Sequence, residues 1–396
     1  MKKIMNRREA IAVSMVGAIG ATVFPGMIFA AESDSIETRA LDSDALKIQV
    51  RRAVEKACRF LRDRQSENGA FGEMAPVGVT SLVVSGLLAV GVNPDDPMVS
   101  TGLNYITSKV QSDGGIYSDQ RAFISYETSL AVTTLARADA KMHAKYTKLI
   151  EAASECLRRE QWGADESIDV SDPAYGGSGY GTKQRPDLSN TQFFMEALHA
   201  AGAGSDDPAM QKALAFVSRC QNLESEHNTS LHATKVNDGG FYYTVVAGGE
   251  SPAGIEPDGG FRSYGSMTYA GLKSMIYAGV TADDVRVKAA VDWLRKYYTM
   301  DENPGMGDSG LYYYYHTAAK SLGMLGGMDS DGKFTDSMGV AHDWRSELAA
   351  ELIRRQQSDG SWANKNPRWM ENDPLIATGY VLMTLGYVME NEHHAE

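Results

Sequence analysis

The side chains with the clearest chemical potential in this chain are a run of tyrosines, a histidine and an aspartate. Tyr312, Tyr313, Tyr314 and Tyr315 stand directly before His316, and Asp187 begins the segment Asp187-Leu188-Ser189-Asn190. A carboxylic acid kept protonated in a dry cavity can donate a proton, and an imidazole can bind zinc. Aromatic faces bind apolar ligands and stabilise carbocations. Because adjacent helical positions point in different directions, the four tyrosines cannot all be core, and we expect some to face a cavity.

The elements that carry these residues are marked by a turn that recurs along the chain. Its copies read Arg64-Gln65-Ser66-Glu67-Asn68-Gly69-Ala70-Phe71, Val110-Gln111-Ser112-Asp113-Gly114-Gly115-Ile116-Tyr117 and Gln356-Gln357-Ser358-Asp359-Gly360-Ser361-Trp362. Asp or Asn bonds its own backbone, and glycine adopts the left-handed conformation that closes a helix. We expect that conformation at Gly115 and Gly360. Repetition on this scale predicts an array of similar units.

Between the turns, six segments are small and apolar on most sides, which predicts buried helices. They cover residues 79–91, 125–138, 188–201, 265–279, 311–326 and 375–389. Segments that are apolar on one side only, such as 44–54, are predicted to form outer helices. Alternation of the two kinds predicts an all-α fold, with inner and outer helices in a closed double ring.

Acidic doublets mark the starts of outer helices. They occur in Asp95-Asp96-Pro97, Asp206-Asp207-Pro208 and Asp283-Asp284-Val285, each after an apolar helix. Acidic residues there cap free amides at the positive end of the helix dipole, and this is the interpretation we favour over a metal or proton-donor site.

Composition and length restrict the partners and the domain count. A net charge of -13 with interspersed charges argues against a nucleic-acid or anionic-membrane surface. No linker divides the chain after residue 43, so we predict one domain over residues 44–391, preceded by a short linker at 32–43. Residues 223–263 form a long insertion, typical of a functional loop, a lid or simple elaboration.

The first 31 residues have the layout of an export signal. Lys2, Lys3, Arg7 and Arg8 precede an uncharged run over residues 10–31. Asn6-Arg7-Arg8-Glu9-Ala10-Ile11 resembles a twin-arginine signal, which favours a periplasmic or envelope destination in a bacterium. The alternative is that the run stays attached as an N-terminal anchor, with peripheral membrane contact.

The Gln-x-(Asp/Asn)-Gly-x-aromatic turns resemble the prenyltransferase and squalene-oxidase repeats, or QW repeats, of squalene-hopene cyclases and protein prenyltransferase β subunits. The resemblance covers roughly residues 44–391 and implies an α/α toroid of about six inner and six outer helices. It does not imply one activity, because the same fold carries different functions.

Two chemistries of that superfamily can be compared with this chain. The cyclases begin an inner helix with Asp-x-Asp-Asp-Thr-Ala, whose middle aspartate is the acid, and the matching residues here are Asp187, Ser189 and Asn190. Neither Ser189 nor Asn190 can deliver that proton. Asp187 has two interpretations, an N-cap and a site residue.

The prenyltransferases hold zinc with Asp, Cys and His. Their Tyr-His-Thr matches Tyr315-His316-Thr317, but their Asp-x-Cys falls on Tyr264-Gly265-Ser266. Tyrosine and serine are poor zinc ligands, so the sequence predicts no metal site and no cofactor. His316 without partner ligands is also typical of a hydrogen-bonded wall residue.

In this fold the inner-helix N-termini converge at one end of the barrel, and the resemblance therefore implies a pocket there. The ligand-pocket candidates are Asp187, Asn190, Tyr264, Ser266, Tyr269, Tyr315 and His316. One hypothesis is a terpenoid- or prenyl-type enzyme, or its relative with both catalytic centres degraded, which binds a hydrophobic isoprenoid-type molecule. The other is a non-catalytic envelope scaffold that binds a ligand or a polypeptide partner.

Overall fold

The computed structural model describes residues 43–119, 121–165, 168–181, 184–325 and 332–389. The predicted export signal and residues 32–42 of the predicted linker lie outside the described residues. The described helices are α1 (Ser43–Arg62), α2 (Pro76–Ala89), α3 (Pro97–Thr107), α4 (Ile124–Asp139), α5 (Thr147–Glu160), α6 (Leu188–Ala200), α7 (Pro208–Arg219), α8 (Ala233–Val236), α9 (Gly265–Tyr277), α10 (Val285–Lys296), α11 (Leu311–Met324), α12 (Trp344–Arg355) and α13 (Pro374–Met389). A small hairpin pairs β1 (Phe334–Thr335) with β2 (Ala341–His342).

Helices α2, α4, α6, α9, α11 and α13 form the inner ring, each packing on the next, and α13 packs back on α2. Helices α1, α3, α5, α7, α10 and α12 lie outside, and α1 also packs on α12. The predicted α/α toroid is therefore confirmed, and each predicted inner segment corresponds to one inner helix. Among the described residues, no helix combines the length and apolarity needed to cross a bilayer.

The acidic doublets cap outer helices, as predicted. In each doublet the second aspartate accepts a hydrogen bond from the backbone amide of the second helix residue, and Asp207 also accepts one from the third. Asp96 caps α3, Asp207 caps α7 and Asp284 caps α10. These carboxylates therefore stabilise the N-termini of the outer helices.

In two of the three copies found in the sequence, the glutamine of the repeat joins neighbouring outer helices, whereas Gln111 donates to the carbonyls of Lys109 and Tyr117. Gln65, in the turn after α1, donates from Nε2 to the carbonyls of Gly69 in the same turn and of Met98 at the start of α3. The same pattern closes the outer ring, because Gln356 after α12 donates to Gly360 and to Ala53 of α1.

Two further copies of this junction escaped the sequence pattern because insertions separate the glutamine from its glycine. Gln161 bonds the carbonyls of Gly176 and Ala209, and Gln221 bonds those of Gly239 and Arg286. The second of these lies across part of the 223–263 insertion. Part of that insertion therefore supplies a repeat turn.

The turn geometry corrects one expectation. Gly360 has a left-handed backbone with φ of 95°, but in the second copy Gly114, with φ of 86°, is left-handed and Gly115 is not. The glycine directly after Asp or Asn takes this conformation, because the side-chain oxygen of Asp113 accepts the amide of Gly115 and forces the turn at Gly114.

We predict that Gly360→Val lowers the free energy of unfolding by about 2–4 kcal/mol, from backbone strain and overpacking together. A Cβ at this position would stand 2.6 Å from the carbonyl oxygen of Lys56 in α1. Chemical denaturation measures the effect. Gly339→Val is the matched control, because Gly339 is also left-handed, with φ of 82°, but has open space around its Cβ position. An equal loss of unfolding free energy in the two variants would show that the contact with α1 contributes nothing to the effect of Gly360→Val.

Candidate functional site

An aromatic cavity of about 190 Å³ lies where the inner helices begin. All six inner helices contribute to its wall from their first two turns, and loops that precede them contribute the rest. The wall consists of Met74, Ala75, Val79, Phe123, Tyr126, Tyr180, Ser189, Phe193, Tyr243, Tyr264, Ser266, Met267, Tyr313, Trp369, Met370, Glu371, Ile376 and Tyr380. Most of these side chains are aromatic or aliphatic, so the cavity suits an apolar ligand.

The aromatic rings of the wall pack against one another. Tyr126 meets Phe193 edge to face, with ring centroids 5.7 Å apart and an interplanar angle of 81°. Tyr313 meets Tyr380 in a similar way at 5.8 Å and 70°. Such pairs are favourable aromatic geometries that hold each ring in place. The wall is therefore preformed by ring contacts that link α4 to α6 and α11 to α13.

Several tyrosine hydroxyls of the wall have polar partners. Tyr313 lies 3.3 Å from the hydroxyl of Ser189, and Tyr126 and Tyr380 are hydrogen-bond partners of each other. Burial raises the pKa of the Tyr126 hydroxyl to about 12, so this group is neutral at physiological pH. The phenols of the wall thus present neutral rings to the cavity.

One carboxyl group, Glu371, lies in the wall, and hydrogen-bond donors occupy both of its oxygens. Its Oε1 accepts the backbone amide of Tyr313 at 2.8 Å, and its Oε2 accepts from Nδ2 of Asn364 at 2.9 Å. Burial raises the pKa of this carboxyl group, against the effect of those donors. Glu371 therefore caps α11 and anchors the loop between Asn364 and α13.

The mouth of the cavity contains strained backbone. Ala75, Trp369 and Met370 have left-handed φ values of 46°, 54° and 61°, although none is glycine. Each such residue costs on the order of 1–3 kcal/mol, and strain of this kind clusters at binding sites. Met74 and Trp369 at this mouth are 58% and 39% exposed. The two loops that precede α2 and α13 are thus the strained, partly exposed part of the wall.

The structure brings two of the seven predicted pocket residues into this wall. Tyr264 and Ser266 both line the cavity at the start of α9. The Oγ of Ser266 accepts a hydrogen bond from Nδ2 of Asn303 at 3.2 Å. Their contact with a ligand stays a prediction.

Asp187 and Asn190 lie behind the wall. The side chain of Asp187 caps α6, accepting from the backbone amide of Asn190 at 2.8 Å and from its Nδ2 at 2.7 Å. Burial raises the pKa of Asp187 to about 6, while these hydrogen bonds lower it. Tyr243, which does line the cavity, is a further hydrogen-bond partner of Asp187. Asp187 is therefore a helix cap that contacts the cavity wall through Tyr243, and Asn190 contacts it through Tyr180.

Tyr269, Tyr315 and His316 also lie outside the cavity wall, contrary to expectation. Tyr315 points towards the outer helices and donates its hydroxyl to the carbonyl of Met300 at 2.8 Å. Tyr269 packs on Tyr314 with ring centroids 5.7 Å apart. Of the tyrosine run, Tyr313 alone is a wall residue, because neighbouring helical residues diverge in direction.

His316 lies deeper, between the cavity and a cluster of charged residues. Its ring centroid is 5.6 Å from that of Tyr380 and 5.8 Å from that of Tyr387. Burial lowers the pKa of His316 to about 3; the charge of Glu196 opposes this shift, and the charges of Lys273 and Lys320 add to it. The imidazole is therefore neutral. Within the described residues, no group of three or more His, Cys, Asp or Glu side chains is placed to hold a metal ion.

Sequence reasoning missed the charged cluster, which consists of Gln192, Glu196, Lys273 and Lys320. The Oε2 of Glu196 accepts from Nζ of Lys273 at 2.6 Å, and its Oε1 accepts from Nζ of Lys320. Lys273 is 0% exposed. The sequence did contain a signal for this cluster, namely charged residues on inner helices that are otherwise apolar.

The cluster lies on the same helix faces as the cavity. Glu196, Lys273 and Lys320 follow the wall residues Ser189, Ser266 and Tyr313 by seven residues on α6, α9 and α11. Seven residues are two turns, or about 10 Å along a helix. The barrel interior therefore changes from aromatic at the cavity to charged two turns further on.

The neutral, buried His316 predicts an acid-sensitive fold. The unfolded state takes up a proton near pH 6.5 and the folded state only near 3, so stability is lost as the pH falls through that window. The expected contribution is about 1.4 kcal/mol per pH unit. His316→Phe should make the free energy of unfolding depend less steeply on pH in this range. Urea denaturation at several pH values within the range measures the change. An identical pH slope in the variant would show that His316 is not buried neutral.

No protein-family model matches the chain, and no curated protein sequence matches it significantly. Among solved structures, it is similar to a polysaccharide lyase at 11% identity and a TM-score of 0.55, covering 89% of this chain and 99% of the other. At this identity the likeness shows the fold alone.

Two further similar structures have lower TM-scores. The type II terpene cyclase MstE from Scytonema is 15% identical, with a TM-score of 0.39 and coverage of 86% of this chain and 98% of the other. Candida albicans protein geranylgeranyltransferase-I complexed with GGPP is 12% identical, with a TM-score of 0.43 and coverage of 85% and 98%.

Proposed function

We propose that the protein binds a hydrophobic small molecule of the isoprenoid type in the aromatic cavity. The observation that carries this proposal is the wall itself, in which side chains from all six inner helices enclose one apolar space. The ring contacts preform that space, which lowers the entropic cost of binding. The resemblance of the repeat turns to those of isoprenoid-binding toroids supports the same ligand class.

The size of the cavity limits what it can enclose. An apolar cavity of roughly 150 Å³ is known to bind benzene, and the volume here is about 190 Å³. A short branched chain of about ten carbons is the scale that fits such a space. A longer chain would extend through the mouth between Met74 and Trp369, where the backbone strain lies.

The chemistry at the wall favours binding over the reactions known for similar toroids. Ser189 stands where the cyclases have their acid, and a serine hydroxyl cannot protonate an alkene. Glu371 is committed to capping α11. In the part of the chain that the structure describes, His316 belongs to no group of side chains that could hold zinc. We therefore infer that both known catalytic centres are degraded.

The alternative is a scaffold that binds a polypeptide with its aromatic end and the 223–263 loop. Leu231 and Ile255 in that loop are 81% and 59% exposed. Scattered exposed apolar residues are common on protein surfaces and need no explanation, whereas an apolar pocket with a few polar groups is the usual form of a small-molecule site. The cavity is the more specific feature, and ligand binding is therefore the function we favour.

The test is a calorimetric titration of the purified protein with geraniol and farnesol. We expect saturable binding of both, with loss of geraniol binding in Phe193→Ala, because that change removes a ring from the centre of the wall. Phe216→Ala is the matched control: Phe216 is fully buried but belongs to outer helix α7. Absence of saturable binding, or equal loss in the two variants, would favour the scaffold.

We propose further that the protein is exported to the bacterial envelope through the twin-arginine pathway. Replacing Arg7 and Arg8 together by lysine is expected to retain the protein in the cytoplasm, because the pathway reads this pair. Cell fractionation measures the outcome, with Lys2→Arg and Lys3→Arg as the control. Export of the double-lysine variant at the wild-type rate would favour general secretion or an anchor.

A further inference from the structure

The polar side chains of the aromatic cavity are almost all hydroxyls. Six tyrosines and two serines line it, together with one carboxyl group, that of Glu371. Among the described residues, no lysine, arginine or histidine belongs to the wall. The exposed guanidinium of Arg368 stacks on Trp369 at the mouth, 4.7 Å from its ring centroid. The enclosed space therefore offers neutral hydrogen-bond donors, whereas the positive charge lies outside it.

Two of these hydroxyls share a single hydrogen bond. Ser189 at the start of α6 and Tyr313 at the start of α11 meet with their oxygens 3.3 Å apart. Two hydroxyls bring two protons, and one hydrogen bond uses only one of them. Helix α9 packs on both α6 and α11, and Tyr264 directly precedes α9. The pair with its remaining proton and the Tyr264 ring therefore lie on three adjoining inner helices of the wall.

The hydroxyl of Tyr264 has no hydrogen-bond partner within the part of the chain that the structure describes. Burial raises its pKa, and the nearby Tyr313 hydroxyl and the carboxylate of Asp187 raise it further. The group is therefore a neutral donor at physiological pH. A buried donor without an acceptor is unfavourable. A ligand oxygen that accepts a hydrogen bond from Tyr264 would remove this cost.

We propose that the ligand of this cavity carries a neutral oxygen function, an alcohol or a carbonyl group, which accepts hydrogen bonds from Tyr264 and from the Ser189–Tyr313 pair. This inference rests on the proposed binding of an isoprenoid-type molecule and specifies its polar end. An anionic end such as a diphosphate would meet the carboxyl group of Glu371 and no cation of the described wall, so its desolvation there would be costly. A pure hydrocarbon would leave the donors unsatisfied. The wall therefore selects an oxygenated, uncharged isoprenoid.

The test is a calorimetric competition in which related compounds of the same carbon number displace geraniol from the wild-type protein. Geranial, whose oxygen can only accept hydrogen bonds, is expected to bind about as tightly as geraniol. The hydrocarbon myrcene and the anion geranyl diphosphate are each expected to bind about tenfold more weakly or worse. Affinity of myrcene or geranyl diphosphate equal to that of geraniol, or much weaker binding of geranial, would overturn this proposal and leave isoprenoid binding intact. No binding of geraniol would contradict both.

Removal of the Tyr264 hydroxyl tests where the ligand oxygen is bound. Tyr264→Phe keeps the ring in the wall, and we expect geraniol affinity to fall roughly fivefold to tenfold while myrcene affinity and the melting temperature stay unchanged. Tyr105→Phe is the matched control, because Tyr105 is buried on outer helix α3. Unchanged geraniol affinity in Tyr264→Phe, or an equal loss for geraniol and myrcene, would overturn the role of this hydroxyl.

If Tyr264→Phe does not fold, the double variant Ser189→Ala, Tyr313→Phe decides instead, because it removes both protons of the other donor pair. We expect this variant to lose geraniol affinity to a similar extent and to keep that for myrcene. Unchanged geraniol affinity in the double variant would overturn the proposal.

Discussion

Glu196→Ala is expected to destabilise the protein by about 3–5 kcal/mol, the usual cost of leaving a buried charge without its partner. The carboxylate of Glu196 is 3% exposed and separates two ammonium groups. Without it, Lys273 and Lys320 would face each other inside the barrel. Chemical denaturation at neutral pH measures the loss.

The pH dependence of that loss identifies its cause. In the wild type, burial lowers the pKa of Lys273 to about 8, and Glu196 raises it against that effect. Removing Glu196 lowers this pKa further, so Lys273 in the variant sheds its proton below pH 8. The unfolded state then binds more protons than the folded state, and stability rises with pH. We therefore expect the deficit of Glu196→Ala to shrink as the pH approaches 8.

The control for this prediction is Glu155→Ala. Glu155 pairs with Arg158 on α5, but its side chain is 65% exposed, and exposed pairs contribute little. A loss for Glu196→Ala no larger than that for Glu155→Ala would contradict a buried ionic cluster.

Ser189→Trp is expected to weaken binding of geraniol about a hundredfold, or by about 2.7 kcal/mol, because the indole takes the place of the ligand. Ser189 lines the cavity at the start of α6 and is partly exposed to it. The melting temperature should change little, since the new side chain fills existing space. Ser108→Trp is the matched control, at an exposed position of the outer ring. Equal geraniol affinity in Ser189→Trp and Ser108→Trp would contradict binding in the cavity.

The ring could be predicted from the sequence because its helices differ in kind. Inner helices are apolar on most sides, and caps such as Asp96 and Asp207 mark where outer helices begin. These signals are local, so each of them can be recognised in a single sequence. The two repeat junctions at Gln161 and Gln221 were missed because insertions break the local pattern.

The site was harder to predict because it depends on which face of each helix points inwards. Tyr313 lines the cavity, but Tyr315 lies two positions further on and points away. A helix start places both residues at the correct end of the barrel, and only the packing of neighbouring helices decides between them. Tyr243 and Trp369 lie on loops, for which helical periodicity gives no signal.

The charged cluster shows what a search for known motifs leaves out. Its residues match no catalytic pattern, and they come together from three helices that are far apart in sequence. Their common spacing from Ser189, Ser266 and Tyr313 is visible only once the inner faces are known. Contacts of this kind require the assembled ring.

Mass spectrometry of organic extracts from the natively purified protein tests the central claim most directly. We expect wild type and Ser108→Trp to release an isoprenoid-type compound in near-equimolar amount, and Ser189→Trp to release little or none. The same compound at the same level in Ser189→Trp, or no organic ligand in any of the three proteins, would contradict an isoprenoid-binding cavity.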